Sequence, residues 1–517
     1  MKKKEILLLL LVLVSVFALF LPSLGNEGIN WDNPENIWEN PTVHKFDFQH
    51  LSRIFSSAPH SLYMPLTFLS FAFEYYFVGE DPFLYHLDSL WLHCAVVALV
   101  YVFLRRLGLD AGSVLLAAFL FGIHPLHVEA VVWISSRKDL LYAFFYLLAS
   151  IMYLKYLDTG RARDYSMALL AGLASILSKP MAASLPLILF WLDWYRGRKW
   201  ARKLIIEKIP FLVLMLPIAA ISVGLHQDYP LRLSGHSFLI WCWTFGFYIY
   251  QFLFPFHPHP LYQVPKPVGL YGHPVYPIAF ASFLLCVFLL ARFRKKRIFV
   301  FACGYYFLSI FFLLRFTEKV KYTTTFVADR YMYLPSLGFF VLLALAIMFL
   351  IRKARAHSRF FYGLGITLVA LMMAIWAITS YAYTSTWRNS IVFWTRVIER
   401  NPTVANAYLN RGEAFFERGH YRKARADFSR TIALWPMDAK AYASRGACDV
   451  LLGDPQSALR DFDQAIALDP DYAMAYHNRS LLWAQMQKYT LALVDAQRAA
   501  RLGYAVRPDY LRFLSQR

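Results

Sequence analysis

Residues 124–141 read HPLHVEAVVWISSRKDLL and lie between two strongly apolar runs, 113–123 and 140–157. Two histidines, a glutamate, an arginine, a lysine and an aspartate gathered beside apolar runs are costly near a bilayer, and so point to function. Three other polar segments have the same setting: 26–41 (NEGINWDNPENIWENP), 178–186 (SKPMAASLP) and 319–338 (KVKYTTTFVADRYMYLPSLG). Acids dominate the first of these, with Glu27, Asp32, Glu35 and Glu39. Cations mark the others: Arg137, Lys138, Lys179, Lys319, Lys321 and Arg330. A carboxylate facing such cations suits one chemistry. It can act as general base on an acceptor hydroxyl, while guanidinium and ammonium groups hold a phosphate and stabilise charge as it leaves.

Each residue also has a structural reading. Asp32 precedes Asn33-Pro34, a turn signal. Asp139 fits an N-cap for a helix beginning at Leu140, and Arg137 and Lys138 fit snorkelling to head groups. His124 and His127 fit an interfacial pair. With Glu129 they also make an HxxHxE spacing that leaves a divalent metal open as a cofactor, although no HExxH occurs. We expect no metal site and no cofactor beyond that.

The elements that must carry these segments are membrane helices. Of 517 residues, 58% are hydrophobic and 18% aromatic, too apolar for an ordinary soluble domain. The net charge of +20 falls in short clusters between apolar runs, such as Arg292, Arg294, Lys295, Lys296 and Arg297. That is the positive-inside pattern rather than a nucleic-acid footprint. The spans expected are 6–24, 84–104, 111–123, 139–157, 165–178, 183–195, 209–226, 275–292, 298–314, 334–351 and 361–383, about eleven in all. The first reads as an uncleaved signal anchor with Lys2–Lys4 inside. A full crossing by 238–254 would break the loop-charge parity, so this run reads as re-entrant or interfacial. The count puts the C-terminus outside, in a multi-pass protein of the bacterial inner membrane. The five cysteines form no CxxC and no disulfide framework. No GxGxxG or GxxxxGK[ST] follows a strand pattern, so the donor of any transferred group is better sought in the lipid.

From about residue 394 the pattern repeats every 34 residues: Pro402/436/470, Tyr408/442/476, Arg411/445/479, Ala424/458/492 and Asp427/461/495. This is the tetratricopeptide period, in which stacked helix pairs bury faces that no single pair can bury. The expected fold is therefore all-α: a polytopic helix bundle over 1–390, then an α-solenoid of three repeats and a C-terminal cap over 391–517. Asn406, Asn410, Tyr442 and Asn478 are candidates to line its groove.

The segments 62–93, 121–141 (FGIHPLHVEAVVWISSRKDLL), 177–194 (LSKPMAASLPLILFWLDW) and 328–339 (ADRYMYLPSLGF), with the repeats behind them, make the chain resemble a known family. It resembles the transmembrane and tetratricopeptide-repeat O-mannosyltransferases, of the multispanning GT-C class, and their bacterial relatives. The resemblance implies inverting transfer of a sugar, mannose or a similar hexose, from a polyprenyl-phosphate donor to a hydroxyl outside the cytoplasm. It places the base in an acidic motif of the first outer loop. Relatives often have two acids there; here the pair is Trp31-Asp32, so Asp32 carries the role or shares it with Glu35 or Glu129. Position 88 is Asp where relatives commonly have Asn. The expected site is then Asp32 and Glu129 as catalytic acids, and Arg137, Lys138, Lys179 and Arg330 on the donor phosphate. Glu35, His124, His127, Asp139 and Tyr331 orient sugar or acceptor. Expected partners are the lipid-linked sugar, a polypeptide held in the repeat groove and membrane lipid, with no nucleic acid. The rivals are a non-enzymatic membrane-anchored repeat scaffold for envelope assembly and a flippase, which would need charges deep within the spans.

Overall fold

A computed structural model describes residues 3–56, 58, 63–224, 235–314 and 327–517. Lys319, Lys321 and the end of the 209–226 run lie outside the described residues. The chain divides into two compact units, which meet in sequence at Arg388–Asn389. Among the described residues the only β feature is an isolated bridge between Tyr262 and Val327.

The first unit runs α1 (Lys3–Phe20), α2 (Phe48–Ser56), α3 (Pro65–Val78), α4 (Pro82–Arg106), α5 (Ala111–Ile123), α6 (Val128–Val132), α7 (Arg137–Thr159) and α8 (Ala162–Ser178). It continues with α9 (Leu185–Tyr195), α10 (Arg202–Ile206), α11 (Ile209–Gly224), α12 (Ser237–Leu253), α13 (Val275–Arg292), α14 (Arg297–Ile310), α15 (Leu337–His357) and α16 (Arg359–Thr384). Local chemistry sets the boundaries. Asp81 caps α4 by accepting from Phe83 N at 3.0 Å, with Pro82 in the first turn. Asp110 caps α5 in the same way, accepting from Ser113 N at 3.1 Å. The helix ends at His124, held extended before Pro125, and the chain bends by 55° into the next helical stretch. Pro180 ends α8 likewise, leaving Lys179 extended.

Seven helices among the described residues are long and apolar enough to cross a membrane, or eight if the bent pair 111–123 and 125–132 is one span. The expected count of eleven is not reproduced. The expected runs 165–178 and 183–195 are helices of 17 and 11 residues, short for a bilayer of about 20 residues. The 238–254 run is a 17-residue helix, α12, and also falls below that length. One end of α7 carries the polar stretch. Near its other end, Tyr153 Oη donates to both Asp193 oxygens at 2.9 Å, and Lys208 and Arg198 also pair with Asp193. This clasp fixes α7 against α9 and the start of α11.

The second unit is α17 (Ser390–Arg400), then the pairs α18 (Ala405–Glu417)/α19 (Tyr421–Leu434), α20 (Ala439–Leu451)/α21 (Pro455–Leu468) and α22 (Ala473–Gln485)/α23 (Tyr489–Arg501), and finally α24 (Pro508–Ser515). The tetratricopeptide expectation holds. Gly412 and Gly446 let each pair close: a Cβ there would meet Phe428 at 2.7 Å or Phe462 at 2.9 Å. The equivalent places in the third pair are Ser480 and Ala496, and Tyr510 of α24 reaches Ser480 Oγ at 2.9 Å. The periodic arginines form a ladder. Arg445 donates twice to Asp461 at 2.7 Å within its own pair and once to Ser429 of the preceding pair at 3.4 Å. Arg411 repeats this with Asp427 and Thr395, and Arg479 with Asp495 and Asp463.

Candidate functional site

The acidic loop after α1 is fastened to the segment between α6 and α7. Trp31 stacks on Trp133, ring centres 4.7 Å apart and planes at 15°, and Trp133 Nε1 donates to the Trp31 carbonyl at 3.2 Å. Ser135 donates to Asn33 Oδ1 from its backbone N at 3.1 Å and from its Oγ at 2.5 Å. Asp32 sits between these two grips with φ of +59°, a left-handed conformation that favours glycine, asparagine or aspartate. Ile37 and Ile134 share one apolar cluster with Phe68, Phe71 and Tyr85, so α3 and the start of α4 back the loop.

Around that loop three cations share two aromatic faces. Lys138 Nζ lies 5.6 Å and the Arg330 guanidinium 5.1 Å from the centre of the Trp133 ring. Arg330 at 4.9 Å and Lys179 at 5.2 Å share the ring of Tyr331. Lys138 is within electrostatic reach of Asp32, Asp139, Lys179 and Arg330. Buried Glu129 pairs with the Arg330 guanidinium and accepts from Arg330 N at 3.1 Å. Burial opposes the Arg330 charge, but Glu129, Tyr331 and Asp139 together outweigh it and hold the group above its ordinary value. Lys179 donates to Asp139 at 2.5 Å, and Asp139 also accepts from Ser136 Oγ at 3.2 Å. Asp139 is thus in the first turn of α7 as the counter-ion of Lys179, and is not the helix cap. Lys138 alone of the three makes no ion pair within 4.0 Å among the described residues.

Asp32, Glu129, Lys138, Asp139, Lys179, Arg330 and Tyr331 are therefore brought together. Arg137 is not. Its side chain is 1% exposed and points away, pairing with Glu74 of α3 and donating to the Tyr85 carbonyl at 2.5 Å. The expectation that Arg137 meets a phosphate is corrected, because its charge is spent inside the fold. His124 and His127 also serve the fold. His124 bonds the Phe252 carbonyl at 3.1 Å and accepts from Leu126 N at 3.2 Å. His127 bonds the Phe121 carbonyl at 2.7 Å and Ser336 Oγ at 3.0 Å. All four ring nitrogens have protein partners, so the HxxHxE spacing makes no ligand set. Among the described residues no group of three His, Cys, Asp or Glu is placed for a metal ion. Glu35 lies exposed on the loop.

Sequence reasoning missed Glu74, Asn33, Ser135 and the Trp31–Trp133 stack. Glu74 had a signal, being a lone acid in an apolar run. Ser135 had none, and Asn33 only the turn signal it makes with Pro34. It also missed the brace behind Arg330: Tyr262 Oη donates to the neighbouring Asp329 at 3.0 Å and accepts from Gln251 of α12 at 2.7 Å.

Fold and site define a multispan helical membrane unit with a polar cluster at one end of α7, followed by a tetratricopeptide solenoid. The family model "Tetratricopeptide repeat" matches residues 393–439, 409–448 and 452–505. Protein O-mannosyl-transferase F38B6.6 of Caenorhabditis elegans is 24% identical over 448 residues, covering 82% of this chain and 62% of that one. Protein O-mannosyl-transferase TMTC1 of Mus musculus is 37% identical over 107 residues, covering 20% of this chain and 11% of that one. A solved structure, the first TPR of Spaghetti (RPAP3) bound to HSP90 peptide SRMEEVD, is 24% identical and covers 22% of this chain and 90% of that one, with a TM-score of 0.21. The chain is a distant relative of the tetratricopeptide-bearing protein O-mannosyl-transferases, and it spans less than two thirds of the length of these curated relatives.

Proposed function

We propose that the chain is a membrane glycosyltransferase that moves mannose or a similar hexose from a polyprenyl-phosphate carrier to a polypeptide hydroxyl. The reaction takes place on the outer face of a bacterial inner membrane. Asp32 takes the proton of the acceptor hydroxyl. That oxygen bonds to the anomeric carbon as the bond from carbon to phosphate oxygen breaks, inverting the configuration, and the electron pair leaves on the phosphate. Lys138, with Arg330 and Lys179 beside it, stabilises the departing charge. Glu129 and Asp139 hold those two cations in place. The repeats recruit the polypeptide. The observation that carries this reading is the gathering of Asp32 and three cations around Trp133 and Tyr331. The relatives' names support the reaction class; the sidedness rests on the sequence pattern of loop charges alone.

The test is transfer of labelled mannose from polyprenyl-phosphate mannose to a serine/threonine peptide by the purified full-length chain. Asp32→Asn should lower kcat by roughly 10²–10⁴-fold, the range of a lost general base. Lys138→Ala should raise the donor KM by about tenfold or more, as for a lost charged hydrogen bond. Wild-type rates in a folded Asp32→Asn protein would remove Asp32 from the reaction. No turnover by the wild-type chain would leave the repeat scaffold as the better reading.

A further inference from the structure

The left-handed backbone at Asp32 needs an explanation. Aspartate tolerates this conformation better than most residues, and its surroundings must still select it over the extended and helical alternatives. Here the constraint can be traced. Residues 31, 33 and 36 all grip the 133–135 segment, and Asp32 is the residue between the grips that makes none of these contacts. Ser135 is the hub: 0% exposed, it donates twice to Asn33 Oδ1 and its Oγ accepts from Asn36 Nδ2 at 3.3 Å. Asn33 and Asn36 are 1% and 2% exposed. Donors and acceptors match: the Ser135 hydroxyl gives its one proton to Asn33 and takes one from Asn36. Backbone bonds tighten the turn, from Asn33 N to the Trp31 carbonyl at 2.8 Å and from Asn36 N to the Asp32 carbonyl at 2.9 Å. Three residues beyond Ser135 stands Lys138, a cation within electrostatic reach of Asp32. The loop with the acid and the helix start with the cation are therefore one block, and Ser135 is its pin.

We infer that Asn33 and Ser135 are positioning residues, whose side-chain bond holds the Asp32 carboxylate in register with Lys138 at the start of α7. Neither touches donor or acceptor. The role rests on the glycosyltransferase reading above. Its chemistry is ordinary: a buried serine hydroxyl and an asparagine carbonyl join two segments about a hundred residues apart without adding charge beside the base. The aromatic stack and the Trp133 Nε1 bond hold the loop on the Trp31 side of Asp32. The Asn33–Ser135 bonds hold it on the other side.

The test uses the full-length protein in detergent or nanodiscs, with Asn33→Ala, Ser135→Ala and Ser135→Thr. Threonine keeps the hydroxyl; alanine does not. Both alanine variants should lower kcat about ten- to a hundredfold, with donor and peptide KM within about threefold of wild type, since misplacement of about 1 Å can cost a hundredfold. Ser135→Thr should recover most of the rate. Amide hydrogen exchange over residues 30–40 should speed up in the alanine variants and stay slow in Ser135→Thr. Unchanged exchange in Asn33→Ala would overturn the inference whatever the activity. So would faster exchange with an unchanged kcat, or equal kcat losses in Ser135→Ala and Ser135→Thr. A wild-type chain with no transfer activity overturns the glycosyltransferase reading and this role with it, and the exchange data then show whether the pin still holds the loop.

Discussion

At the scale of single residues, the polar stretch after α5 separates into two kinds of side chain that its composition cannot tell apart. Arg137 and Lys138 are neighbours in sequence, yet one is locked inside on Glu74 and the other lies against Trp133, within electrostatic reach of Asp32. A helix start forces this split, because successive residues point about 100° apart. Breaking the inner pair leaves a buried charge alone, at a cost of about 3–5 kcal/mol. Glu74→Gln and Arg137→Ala should each lower the thermal unfolding midpoint sharply, and the double change to Leu and Met should recover much of it. A double substitution as harmful as the sum of the singles would show that the pair does not act as a unit. The chemistry-bearing residue types were legible in the sequence: Asp32, Glu129, Lys138, Lys179, Arg330 and Tyr331 all come to one place. The histidines were misleading, because a residue before or near a proline turn needs its ring for the backbone, and spacing alone does not say so. Neutral side chains such as Asn33 and Ser135 left no trace in charge or hydropathy.

At the scale of elements, the tetratricopeptide pairs were readable because a 34-residue period survives any single exception. Less readable was how the array stops. In the third pair the small-against-large contact of Gly412 with Phe428 becomes Ser480 and Ala496, and the volume given up is filled from α24 by Tyr510. Tyr510→Ala should loosen the third pair first. Hydrogen exchange should rise in α22 and α23 while α18 and α19 keep wild-type protection; uniform loosening would contradict this account. The arginine ladder makes a second prediction. Arg445→Ala removes two charged bonds to Asp461 and one link to the preceding pair, a loss of about 1–3 kcal/mol. Both flanking pairs should exchange faster than in Arg430→Ala, where an exposed arginine is lost. Span counting was the weakest reading at this scale. Helices bent at Pro125 or stopped at Pro180 are apolar without being long, and an apolar run does not report its own bend.

At the scale of the whole molecule, sidedness is the property most open to measurement. Cys448, the one thiol of the repeats, is a poor handle: it is 0% exposed, and burial with Asp449 beside it pushes its pKa up to about 12. A membrane-impermeant maleimide should leave it unmodified in the native protein. Met437→Cys in a Cys448→Ala background puts a thiol where the side chain is 64% exposed. Labelling of intact cells before lysis is the outcome expected if the repeats lie outside; labelling only after lysis would place them inside. The +20 net charge of the chain says little about the polar cluster around Trp133 and Tyr331, where carboxylates sit among the cations. Glu129 and Asp139 are resident counter-ions. On the proposed reading, an incoming carrier phosphate would share the cations with them rather than meet bare positive charge, and that divided hold would let the spent carrier go. A site arranged in this way would give up tight grip for quick turnover.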